Sequence, residues 1–253
     1  MYPLMTGNDF TTKQKLVAEF FGSATLVFVL VSSGLLANGV LEASPSMGVL
    51  FIGLATAGWL FVVVQMLGPI SGAHVNPAVT VALLVTGDVD VKTARQYIPV
   101  QFVGGLVGAG LAGLTFVSTI GWEVFAISAV ERPASTWVAE FLGTVLLASV
   151  IISLIRQDSE WIGLAVGFTV GMGIIGTSST AFLNPQVALA RIFTSGIAGI
   201  QPFDAVMFML AATLGGIAAG LLWRYLWPRP TPLERAKPKF DDETILDEFA
   251  VES

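Results

Sequence analysis

The 253-residue chain has no cysteine, which excludes disulfides, thiolate metal sites and a catalytic thiol. It has one histidine, His74, and shows no Ser-His-Asp arrangement, phosphate-binding loop or metal-ligand cluster. No enzyme activity, cofactor, bound metal or nucleic-acid partner is therefore expected. Charge is also scarce. Charged residues make up 12%, about half the share of a soluble domain. The net charge of −6 lies largely in the final stretch FDDETILDEFAVES and says little about partners. No cleavable signal peptide is apparent, because a polar opening leads directly into apolar sequence.

What the chain has in excess is apolar runs. It is 54% hydrophobic, with a mean hydropathy of +0.79. Runs of about 20 apolar residues recur, long enough to cross a bilayer as helices. Six full spans are predicted, over 16–38, 46–67, 97–118, 137–155, 161–178 and 203–226. Two shorter helical pieces, 76–86 and 184–195, are too short to cross. The reading is an all-α membrane protein: a polar segment over 1–15, one unit over 16–227, and a disordered cytoplasmic tail over 228–253. Six crossings put ten of the twelve basic residues on one side, which fixes both termini in the cytoplasm. Arg132 and Arg191 alone fall on the other side.

The chain repeats itself. VAEFFGSATLVFVLV (17–31) matches VAEFLGTVLLASVII (138–152), and HVNPAVTVAL (74–83) matches FLNPQVALAR (182–191). The repeats run over about 16–118 and 137–227, each with three spans and one short helix. Three is odd, so the halves are inverted in the membrane, the mark of a midplane pathway. The first repeat is longer between its Glu and Asn, an excess that fits a loop over 37–46.

Asparagine caps helix starts, and proline favours the first helical position. Asn76-Pro77-Ala78 and Asn184-Pro185-Gln186 therefore open the two short helices. Helix starts inside a membrane expose N–H groups that are tolerated only beside a water-filled cavity. The inverted repeat points the two starts at each other near the midplane. Such a site passes neutral polar molecules and repels cations, protons included.

These features resemble the aquaporin, or major intrinsic protein, family. SGAHVNPAVT (71–80) is very specific for it, and the paired Asn-Pro boxes and AEF-x-G repeat openings extend the match over about 15–227. The resemblance implies an hourglass of six helices and two re-entrant half-helices, one pore per protomer of a homotetramer, and passive permeation. It implies a multi-pass protein of the cell (inner) membrane whose partners are lipid and small neutral solutes.

The chain departs from the family at two positions. The second box reads Asn-Pro-Gln, and Val187 stands where the family's filter normally has Arg. Counting from the motifs maps the other filter positions to Thr56, Met172 and Ala181, with Gly171 and Gly173 flanking Met172. Such a filter is wide and rather apolar, since Arg would supply fixed charge and several donors. The surroundings of the second box resemble a bacterial subgroup found near arsenic-resistance genes. That resemblance implies passage of arsenite and antimonite as neutral hydroxides, with small polyols and water. A glycerol or urea facilitator and a plain water channel are the alternatives, ahead of an ion-coupled transporter. A junction protein without much flux is a further reading.

Several polar groups carry two readings. Gln186 must face the pore or find a buried partner. Arg191 either places charge in the extracellular vestibule or joins a loop carbonyl network. The intramembrane acids Glu19 and Glu140 could relay protons. Their repetition favours a structural role, accepting hydrogen bonds from re-entrant backbone. His74 is read as structural rather than as a pH gate.

Overall fold

A computed structural model describes residues 10–228. The tail expected over 228–253 and most of the segment over 1–15 lie outside the described residues. The described chain contains eight α-helices and no strand among them. They are α1 (Thr12–Gly34), α2 (Pro45–Ser71), α3 (Pro77–Thr86), α4 (Val91–Ile120), α5 (Ser135–Arg156), α6 (Ile162–Gly176), α7 (Pro185–Ala190) and α8 (Pro202–Leu226).

The helix starts follow local chemistry. Thr11 and Gln14 form a capping box before α1, and Ser44 caps α2 with Pro45 at its first position. Asp90 caps α4, and Gly72 and Gly87 terminate α2 and α3 in the left-handed conformation.

Five of the predicted spans are long and apolar enough to cross a membrane. The remaining one, α6, is a 15-residue apolar helix, about 22 Å long and shorter than the expected 161–178. It ends where Thr177 folds its hydroxyl back onto the Gly173 carbonyl, at 2.8 Å. The loop expected over 37–46 is also partly helical. After α1 the chain continues as a π-helical turn over Leu35–Val40, which absorbs much of the extra length of the first repeat.

The inverted repeat is visible in the packing. α1 packs on α4 as α5 packs on α8, and α2 meets α6 across the two halves. Each short helix lies against the last helix of the other repeat, α3 on α8 and α7 on α4. Glycines permit the close approaches at equivalent positions. A Cβ on Gly104 would lie 2.6 Å from the Phe20 carbonyl, and one on Gly215 would lie 2.6 Å from the Phe141 carbonyl. Ala78 packs against Gly216, and Gln186 against Gly105.

Candidate pore and filter

The two half-helices are bridged at their starts. Asn76 Oδ1 accepts from Ala78 N at 2.8 Å, and Asn184 Oδ1 accepts from Gln186 N at 3.2 Å. Each cap also uses its amide nitrogen. Asn76 Nδ2 donates to the Leu183 carbonyl at 2.9 Å, and Asn184 Nδ2 donates to the Val75 carbonyl at 3.0 Å. Each asparagine thus caps its own helix and ties itself to the loop before the other.

Those loops are strained in the same way. Ala73 and Val75 have positive φ (46° and 39°), as do Ala181 and Leu183 (41° and 48°). For a β-branched valine this is a costly conformation, on the order of 1–3 kcal/mol. Buried carboxylates hold it. Glu19 accepts from His74 N at 2.9 Å and Val75 N at 2.8 Å, and also from Ser71 Oγ and Gln101 Nε2. Glu140 accepts from Phe182 N at 2.9 Å and Leu183 N at 2.7 Å. Both acids therefore receive re-entrant backbone. Gln101 and Tyr97, whose hydroxyl donates to the Ser71 carbonyl at 2.9 Å, are members of this network that carry no sequence signal, whereas Ser71 opens the SGAHVNPAVT motif. His74 joins it through Thr80 Oγ1, 3.0 Å from His74 Nδ1.

A cavity of about 440 Å³ runs along this axis. Thr56, Ala181, Val187, Asn76 and Asn184 all line it, as do His74 and Val75. Its wall is mostly aliphatic, with Leu60, Val79, Val166 and Val170 among the residues that face it. Met172 does not line it. That side chain is 47% exposed, on the face of α6 turned away from the buried stripe of Val166, Val170 and Ile174. Its neighbour Gly173 lies against Ala181, where a Cβ would come within 2.9 Å of Ala181 Cβ. From α6 it is Val166 and Val170, not Met172, that face the cavity.

One other expectation changes. The second half-helix is shorter than 184–195: α7 stops at Ala190, and Arg191–Phe193 form a 3₁₀ turn. Arg191 itself stays one turn beyond Val187, with its N–H bonded to the Val187 carbonyl. Arg191 is buried, its Nε donates to the Ala198 carbonyl, and its guanidinium lies 3.6 Å from the centroid of the Phe182 ring. It also borders a second, smaller cavity. Gln186 is fully buried, and its Nε2 donates to the Val75 carbonyl at 2.5 Å. Its Oε1 has no hydrogen-bond partner among the described residues.

A bundle of apolar helices with two capped half-helices meeting head to head inside it defines a membrane channel for small molecules. The sequence comparisons agree. Residues 7–178 match the family model described as Major intrinsic protein, a match that ends before Asn184. The chain belongs to the major intrinsic protein family, whose members are channels and not enzymes. It is 33% identical to the aquaglyceroporin AqpS of Rhizobium meliloti, over 90% of this chain and 96% of that one. It is 31% identical to mouse aquaporin-8, covering 84% and 82%. Among solved structures, the aquaglyceroporin from Plasmodium falciparum superposes with a TM-score of 0.65 at 21% identity. The similarity covers 84% of this chain and 96% of that one, and it shows the shared fold.

Proposed function

We propose that this channel conducts small uncharged solutes through a wide filter without arginine, and that its solutes include the metalloid hydroxides arsenite and antimonite. Small polyols and water accompany them. The observation that supports this reading is the set of side chains lining the pathway beside the start of α7. Thr56, Ala181 and Val187 line the pathway, and a glycine, Gly173, faces Ala181. None supplies the bulk or fixed charge that an Arg would place there. Arsenous acid is neutral at neutral pH and shaped rather like a small polyol, so it needs width and a few polar contacts, not a charged partner. The similarity to an aquaglyceroporin over nearly the whole chain supports a solute-conducting member.

A second reading, a glycerol or urea facilitator, draws on the 31% identity to a glycerol uptake facilitator-like protein of Lactiplantibacillus plantarum. The proposed setting is a homotetramer in the cell (inner) membrane with both termini cytoplasmic. The test is reconstitution in liposomes, with water followed by stopped flow and glycerol and arsenous acid by direct uptake. Fast arsenous acid and glycerol support the wide filter. Fast water with neither solute refutes it.

A further inference from the structure

Beyond the level of Thr56 and Ala181 lies the second cavity, about 120 Å³. Ile52 lines it one turn from Thr56 on α2, Ile174 one turn from Val170 on α6, and Thr180 precedes Ala181. It therefore continues the pathway towards the mouth on the side opposite the Arg156–Trp161 connection. Two further lining residues are Arg132 and Arg191, which come from different connecting segments. They are also the two basic residues that the charge distribution leaves on this side of the membrane.

Phe182 carries both guanidiniums. Arg191 lies 3.6 Å and Arg132 5.5 Å from its centroid. Arg132 Nη1 reaches Thr180 Oγ1 at 3.5 Å. Among the described residues neither guanidinium is within ion-pair distance of a carboxylate. Two acids stand nearby, and both are committed to other donors. Glu140 holds the Phe182 and Leu183 amides, and Asp204 Oδ2 accepts from Arg132 N at 2.6 Å and Gln201 Nε2 at 2.7 Å. Neither acid lines the cavity. Of the charged groups, only the two guanidiniums stand on the wall of this mostly aliphatic recess, so a solute inside it meets positive charge directly.

We infer that Arg132 and Arg191 together form the charge-selecting element of this pathway, rejecting inorganic cations at its mouth from positions other than that of Val187. The inference rests on the channel reading of the same pathway. Neutral solutes meet two fixed donors and no charge penalty. Sodium ions and protons meet two like charges before reaching the half-helix dipoles.

The test uses the full chain in liposomes under a potassium diffusion potential, with proton and sodium entry read beside water flux. Wild-type protein should conduct water and stay tight to both cations. Arg132→Gln should raise cation entry, taken relative to the water flux of the same vesicles, about tenfold or more, and Arg132→Lys should restore tightness. Arg191→Gln would also remove the bond to Ala198 and endanger folding. Ile197→Glu therefore supplies the second test: it sets a carboxylate on the same cavity wall and leaves both arginines in place. It should also raise cation entry. Conducting variants that remain as cation-tight as wild type would overturn the inference. Wild-type protein passing neither water nor neutral solute would overturn the channel reading and the inference with it.

Discussion

Gln186 donates to the Val75 carbonyl at 2.5 Å, the same oxygen that accepts from Asn184 Nδ2. A side chain of the second box thus engages the loop before the first. Gln186→Ala removes one of two donors to that oxygen and also removes an unpartnered buried Oε1. The two effects oppose, so stability should change by only about 1 kcal/mol. Gln186→Glu cannot donate and would bury a charge against a carbonyl, costing about 3 kcal/mol or more. Thermal unfolding in detergent should separate them clearly. Equal losses would mean that the bond to Val75 is unimportant.

Val187→Arg tests the filter. The new side chain would enter the space shared by Thr56 and Ala181. Under the proposed function, uptake of glycerol and arsenous acid should fall about tenfold while water falls only slightly. A parallel loss of all three would place the constriction elsewhere.

The two buried acids should respond alike to amidation. Glu19 accepts from His74 N and Val75 N on separate oxygens, and Glu140 accepts from Phe182 N and Leu183 N in the same way. Whichever oxygen becomes the NH₂ of Glu19→Gln or Glu140→Gln, it faces a backbone N–H. Each variant should therefore lose about 2 kcal/mol. Melting temperatures of the two variants, read beside water flux, check this, and a variant as stable as wild type would show that its carboxylate is not needed to hold the loop.

Arg156 joins three segments on the other side of the molecule. Its Nη2 lies 3.3 Å from Asp88 Oδ2, and its Nη1 donates to the Trp227 carbonyl. Both side chains of the pair are largely buried. Arg156→Ala should therefore cost about 2 kcal/mol, more than an exposed pair would. A melting temperature unchanged from wild type would show the pair to be dispensable.

The chain has no thiol, so mercurials should leave water and solute flux intact. Strong inhibition in liposomes would reveal a site other than cysteine.

Much of the architecture was legible because it rests on local chemistry. Asn-Pro caps, glycine terminators and the AEF repeats carry their meaning within a few residues. The mispositioned elements lack such markers. α6 reads IGLAVGFTVGMGIIG, apolar nearly all round, so nothing in it reveals which face meets the pathway, and Met172 lies on the exposed one. The length of α7 was hidden for another reason. The helix ends where Arg191 turns towards Ala198, an acceptor seven residues later in a separate turn. Gln186 posed an open choice, because its partner lies 111 residues away. Arg132 had a weak signal: a basic residue on the side where basic residues are scarce.

The crossed asparagine bonds join residues 107 and 109 positions apart, so each half of the pathway is finished by the other. This sets an order of events during synthesis. The first repeat can set its own loop, since Glu19 reaches His74 and Val75 from within that repeat. Its Asn76 amide then waits, in or beside the membrane, for a carbonyl not yet made. A ribosome stalled after α4 would leave an inserted but unsealed half, and assembly of a conducting protomer is therefore an event of late translation.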